Sequence, residues 1–182
     1  MPSPVGEGRV RAGSMAQAVV CIVMGSANDW PIMQGAAEML AHFHIPYEVT
    51  VSSAHRAPQR TAALAHEAAQ HGVQVLIAGA GGAAHLAGVI AAHTTLPVIG
   101  VPIESSSLQG LDALLATVQM PQGVPVATVA IGKAGAANAG ILAAQILALQ
   151  EPALATRLRQ YKAELAAGVE RAAATLQAQL QG

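Results

Sequence analysis

The chain is predicted to fold as one α/β domain on an open, doubly wound parallel sheet of five strands, helices covering both faces. Three observations predict it. Short, apolar, β-rich runs recur roughly every 25 residues, as parallel strands buried on both faces do. A helical pattern follows each run, which implies parallel pairing through right-handed crossovers. Small, hydroxyl-bearing and charged residues cluster just after the runs, where ligands meet such sheets.

"VVCIVM" (19–24) is the first strand. "GSANDW" follows, then a helix from about Pro31 to Phe43 with Ile32, Met33, Ala36, Ala37, Met39 and Leu40 on its apolar stripe. "YEVTV" (47–51) is the second strand and runs into "SSAHRA". Pro58 suits the first turn of a helix that continues through Ala62, Ala63, Leu64, Ala68 and Ala69 to Gly72. "VQVLIA" (73–78) is the third strand, followed by "GAGGAAHLAG" and a short helix to about Ala92. "LPVIGV" (96–101) is the fourth, with a "PIESSSLQG" loop and a helix from about Leu111 to Val118. "VPVATVAI" (124–131) is the fifth, and "GKAGAANAG" leads into a helix over 138–149. The last stretch, about 152–180, carries Leu154, Leu158, Leu165, Val169, Leu176 and Leu180 on a broken stripe. The folded domain is therefore 18–150. The segment 151–182 is a C-terminal helix suited to packing on a neighbouring subunit.

Composition narrows the function. Of 182 residues, 53% are hydrophobic and only 10% charged, against ~25% charged in an ordinary soluble domain. Alanine and glycine make up much of the excess, and the aromatics are few: Trp30, Phe43, Tyr47 and Tyr161. Such a chain needs close backbone packing and has little charged surface, so a homo-oligomer is expected. A net charge of −1 with no basic run gives nucleic-acid binding no support. Cys21 alone cannot build a disulfide framework; a buried thiol in a reducing cytoplasm is expected. No apolar run reaches the ~18 residues of a membrane span. Residues 1–17 lack the apolar core of a secretory signal and read as a disordered tail, with Met15 as an alternative start.

The strand-end positions hold Gly25, Ser26 and Asp29; Ser53, His55 and Arg56; Gly79, Gly81, Gly82 and His85; Ser105, Ser106 and Ser107; and Gly132, Lys133 and Gly135. Each has two readings. Asp29 either caps a helix or belongs to a phosphate- or ribose-contacting loop. "GAGGAAH" either permits close helix–sheet packing or lines a ligand pocket. It lacks the spacing of a dinucleotide fingerprint and the Gly-Lys-Ser/Thr of a P-loop, so no nucleotide cofactor is expected. His42, His44, His66, His71 and His93 fall on helices or helix ends. Only His55 and His85 fall in strand-end loops, and two histidines without a cysteine or carboxylate at ligand spacing predict no metal. His55 has the stronger functional case, because Arg56 beside it can grip an anionic substrate. Arg56 favours a neutral imidazole and a bound anion favours the imidazolium, which suits a group that exchanges a proton near neutrality.

"MGSANDW", "SAHRAP", "IAGAGGAAHLAG", "PVIGVP", "VQMPQGVPVATVAIGKAGAANAG" and "LAAQILAL" resemble, in order and spacing, the PurE family, the bacterial N5-carboxyaminoimidazole ribonucleotide mutases of purine biosynthesis. The resemblance runs from about Val19 to Leu149. It implies a flavodoxin-like three-layer α/β/α subunit, a cytoplasmic homo-octamer, and neither metal nor organic cofactor. By position, it implies that Ser26, Asp29 and Arg56 bind the ribose phosphate, with Ser53 close by. Gly81, Gly82, Ala83, His85 and Leu86, within the loop 79–86, would line the pocket for the carboxylate or released carbon dioxide. His55 would carry the proton. The chain departs from the family at Asn28, where serine is common, at Ala87, where proline is usual, and at Ala127, often glycine. Two alternatives stand beside the mutase: direct carboxylation of aminoimidazole ribonucleotide by carbon dioxide, and a non-catalytic flavodoxin-like module that binds a phosphorylated ligand. A flavoprotein is disfavoured by the scarcity of aromatics.

Overall fold

The structure, a computed structural model, describes residues 10–12 and 17–181. Two compact units divide the chain, residues 1–143 and 144–182.

The first unit is built on a sheet of β1 (Val10–Ala12), β2 (Val20–Met24), β3 (Tyr47–Val51), β4 (Val75–Gly81), β5 (Val98–Ile103) and β6 (Ala127–Thr128), in the order β1-β3-β2-β4-β5-β6. The five expected strands are all parallel. β1 adds an antiparallel edge against β3, with Val10 opposite Val49. This strand lies inside the stretch 1–17 read as disordered; residues 1–9 and 13–16 of that stretch fall outside the described residues.

Counted along the parallel strands, the order is 2-1-3-4-5, the flavodoxin-like arrangement. From β2 the chain steps outward to β3 and then returns to the other side of β2 as β4. The connections from β2 and β4 therefore leave in opposite directions, and a crevice opens between their carboxyl ends.

Helices cover both faces. Alternation along β2 and β4 sends Cys21, Val23, Leu76 and Ala78 to one face. There they join Leu64, Ala65 and Ala68 near α2 (Pro58–Glu67) and Leu86, Ala87 and Ile90 of α3 (Leu86–Ala92) in one buried cluster. α4 (Leu111–Val118) packs on the same face, with Thr117 donating to the Ala113 carbonyl at 2.7 Å and its methyl set against Gly100. The opposite face is covered by α1 (Trp30–His42), whose Met33 lies against Gly79, and by α5 (Gly132–Leu147). α1 and α5 approach until a Cβ on Gly140 would lie 2.7 Å from the Ala36 carbonyl oxygen. Small residues at this crossing account for part of the alanine and glycine excess.

Most element ends shift by one to three residues, so that Gly79–Gly81, read as loop, close β4; three boundaries differ more. "GKAGAANAG", read as a loop before a helix over 138–149, is the first half of α5. Contact with α1 outweighs the weak helix propensity of its glycines. The fifth strand shrinks from eight expected residues to Ala127–Thr128; Pro125 cannot donate to a ladder, and β6 is an edge with one neighbour. α2 stops at Glu67, and a 3₁₀ turn over Ala69–His71 carries the chain to Gly72, whose φ of 83° closes it.

The second unit holds the end of α5 and α6 (Pro152–Gln181). Arg157 pairs with Glu151 at 3.2 Å, and Leu165, Val169, Leu176 and Leu180 are exposed along α6.

Candidate active site

The crevice at the β2/β4 switch point is a cavity of about 460 Å³. Three of its walls are the segments leaving β2, β3 and β4.

The β2 wall is a tight turn. Ser26, in extended conformation, caps a 3₁₀ turn over Ala27–Asp29. Its hydroxyl accepts from the Asn28 N–H at 3.2 Å, and its own N–H donates to Asp29 Oδ2 at 3.0 Å. This reciprocal pair forms because a β-strand ends in Gly-Ser and an acidic residue follows three positions later, the spacing of a capping box. Both readings of Asp29 therefore meet: it caps the turn, and it lines the cavity. Partial burial pushes its carboxyl above the ordinary value, and the Ser26 N–H pulls partly back.

The β3 wall carries the charged side chains. Buried Ser52 ties the strand end down, its N–H donating to the Met24 carbonyl at 2.9 Å and its hydroxyl sharing a 2.7 Å hydrogen bond with Thr61. The chain then turns through Ser53–Ala57 into α2. Ser53 Oγ accepts from Arg56 N and Nε, both at 3.3 Å, and Arg56 Nη2 donates to the Gly25 carbonyl at 3.1 Å. Two of the guanidinium's five N–H donors are thus used in aiming it. The remaining three are free for an anion.

The β4 wall is almost all backbone. Gly82 takes a φ of +60°, which turns the chain from β4 toward α3. The His85 N–H then donates to the Ala83 carbonyl at 2.8 Å, and Leu86 is buried at the head of α3. A Cβ on Gly81 would strike the side chain of Ser105 and come within 2.9 Å of the Ile103 carbonyl oxygen. Glycine therefore lets the segment after β5 come up against β4.

His55 Nε2 lies 2.9 Å from His85 Nδ1, the rings edge to face at 80°. One nitrogen must donate and the other accept, so the tautomers of the two rings are linked. While the contact stands, the two facing nitrogens share one proton. Among the described residues no group of three or more His, Cys, Asp or Glu side chains gathers to hold a metal ion.

Ser26, Asp29, Ser53, His55, Arg56, Gly81, Ala83 and Leu86 all line this cavity. Gly82 and His85 do not: Gly82 makes the turn behind the wall, and His85 reaches the site through His55. Gly25, Asn28, Ala54, Ala80 and Ser105 complete the lining. Of these, Ser105 is a strand-end residue that the family motifs did not single out. Lys133 and Gly135, also read as strand-end loop residues, lie in the first turn of α5. A wider groove of about 1080 Å³ shares Gly25, Ser26, Ser53 and Arg56, but continues along β3 over Val49, Val51 and Trp30. The smaller cavity is the candidate site because the histidine and the carboxylate face it.

With this geometry in hand, comparison with known proteins is decisive. The family model for AIR carboxylase matches residues 19–168. The chain belongs to the AIR carboxylase family. Its curated relatives include N5-carboxyaminoimidazole ribonucleotide mutase of Vibrio cholerae, 54% identical over 145 residues, which cover 80% of this chain and 90% of that protein. The Escherichia coli K12 mutase is 55% identical over 143 residues, 79% of this chain and 85% of the relative. The crystal structure of Treponema denticola PurE superposes with a TM-score of 0.78 at 27% identity, covering 86% of this chain and 97% of that one. In this chain the polar side chains lie on the β2 and β3 walls and the backbone turn on the β4 wall.

Proposed function

We infer that this chain is an N5-carboxyaminoimidazole ribonucleotide mutase, an isomerase of purine biosynthesis that moves a carboxylate from the exocyclic nitrogen of its substrate to carbon 4 of the imidazole ring. The observation that carries the reading is one cavity in which a histidine able to exchange a proton stands beside an arginine with uncommitted donors. More than half identity to curated mutases over four-fifths of the chain supports it.

The residues divide the work by chemistry. Arg56, aimed by Ser53 and Gly25, offers a planar fork to the phosphate. Ser26 and Asp29, locked to each other, offer a hydroxyl donor and a carboxylate acceptor for the phosphate and ribose. The loop from Gly81 to Leu86 encloses the carboxylate.

A carbamate loses carbon dioxide once its nitrogen is protonated. His55 as imidazolium donates one N–H to His85 Nδ1 and keeps the other for that nitrogen. The N–C bond then breaks, leaving aminoimidazole ribonucleotide, carbon dioxide and neutral His55. The enamine-like carbon 4 attacks carbon dioxide, forming the new C–C bond. The carbon 4 proton passes to His55, restoring the aromatic ring and the imidazolium. One group acts as acid and then base, so protons balance over the cycle. Holding carbon dioxide beside carbon 4 replaces a bimolecular encounter with a near-attack arrangement.

The same reading expects a homo-octamer acting in the cytoplasm, with α6 packing across subunits. The sparse charge and the exposed leucines of α6 support association. Among the described residues no helix is long and apolar enough to cross a membrane.

The deciding experiment compares turnover of N5-carboxyaminoimidazole ribonucleotide with turnover of aminoimidazole ribonucleotide plus bicarbonate. Turnover of the carbamate at low bicarbonate supports the mutase. Preference for the second pair makes the chain a direct carboxylase.

A further inference from the structure

Three serines line the cavity, and they differ in how their hydroxyls are engaged. Ser26 Oγ accepts the Asn28 N–H, and Ser53 Oγ accepts two N–H groups of Arg56. Both are held by their own turns. Ser105 Oγ makes no hydrogen bond within the described residues. The residue is exposed, and its side chain sits where a Cβ on Gly81 would fall, 3.9 Å from where one on Gly82 would. The neighbouring hydroxyl, Ser106, secures the loop by donating to Asp112 Oδ2 at 2.8 Å and accepting the Leu108 N–H at 3.2 Å. The loop thus carries one hydroxyl that anchors it and one, in the preceding position, that faces the cavity.

Resting on the mutase reading, we propose that Ser105 is a carbon dioxide-retaining residue: its hydroxyl donates to an oxygen of the migrating carboxylate and holds released carbon dioxide over the Gly81–Gly82 backbone until carbon 4 attacks. Its chemistry suits the task. The carboxylate oxygens are strong acceptors before and after transfer, and the hydroxyl rotates to follow them. A neutral donor does not stabilise the carboxylate so strongly that carbon dioxide fails to leave the nitrogen. Glycine at 81 is then required twice, for the close approach of β5 and for the volume the carboxylate crosses.

The proposal predicts leakage rather than simple slowing. With carbon dioxide less well held, more of it escapes before recapture, and aminoimidazole ribonucleotide accumulates in place of the 4-carboxy product. The experiment incubates wild type, Ser105→Ala and Ser105→Thr with N5-carboxyaminoimidazole ribonucleotide at low bicarbonate. It measures aminoimidazole ribonucleotide released per 4-carboxy product formed, corrected for spontaneous decarboxylation. Ser105→Ala is expected to raise that ratio about tenfold, the scale of one hydrogen bond to the carboxylate that forms as carbon 4 attacks, with KM little changed. Ser105→Thr, which keeps the hydroxyl, is expected to return most of it. A wild-type ratio in Ser105→Ala, at any overall rate, overturns the role of Ser105 while leaving the mutase reading intact. Wild type that does not turn the carbamate over at all overturns both.

Discussion

The segments after β3 and β4 face each other across one cavity and contribute in opposite ways. Ser53–Arg56 supplies side chains: a hydroxyl and a guanidinium aimed by hydrogen bonds to backbone and to each other, and an imidazole held by His85 across the cavity. Gly81–His85 supplies a turn and empty volume, with a glycine in the left-handed region and a second glycine where a Cβ would collide. Their meeting point is the His55–His85 contact. A substitution in the first segment should therefore change chemistry while leaving the fold. One in the second should disturb the fold with it.

The strongest test of that contrast is His55→Asn. Loss of the proton carrier should lower kcat by roughly 10²–10⁴-fold, with substrate binding and the melting temperature close to wild type. Steady-state kinetics beside thermal melts check it, and retained turnover would remove His55 from the chemistry. On the backbone side, Gly81→Ala should cost about 1–3 kcal/mol of stability, because the Ile103 carbonyl oxygen it meets belongs to the neighbouring strand and cannot swing away. That corresponds to a melting temperature lower by roughly 2–12 °C. An unshifted melt would mean that the wall yields. Arg56→Lys should raise KM about tenfold with kcat less affected, since a lysine keeps the charge but not the fork that reaches Ser53, Gly25 and an anion together. A change confined to kcat would contradict the anchoring role.

The smallest effect is a slope. Burial raises the Asp29 carboxyl above its ordinary 3.8, so the folded state binds its proton more tightly than the unfolded state does. Asp29 then favours folding most below that ordinary value, and loses the contribution as pH rises through the raised folded-state value. Asp29→Asn removes this titration. Denaturant melts between about pH 3.5 and 7, from just below the ordinary carboxylate value to about three units above it, should show wild type losing stability relative to Asp29→Asn as pH rises. The reverse slope would mean that the Ser26 N–H outweighs burial.

Much of this site was legible in the sequence for a definite reason. A buried parallel strand reads as an apolar run, and ligands gather at its carboxyl end, so Ser26, Asp29, Ser53, His55, Arg56 and Gly81 could be placed before any coordinates. Other features were not legible, because they depend on distance rather than order. Nothing in "GKAGAANAG" announces a helix; contact with α1 makes it one. Nothing around Val10–Ala12 announces a strand, since three residues carry no period. His55 and His85 are 30 positions apart, and their 2.9 Å contact exists only once β3 and β4 flank β2.

The sequence by itself therefore determined the parallel α/β architecture and the family motifs, because periodicity and strand-end chemistry are local. Only the tertiary structure decided that the two imidazoles come within hydrogen-bonding distance, that His85 stands behind His55 rather than in the cavity wall, and that Ser105 rests on Gly81. Those relations arise where separate segments meet across the switch point, and local chemistry does not specify which atoms will touch.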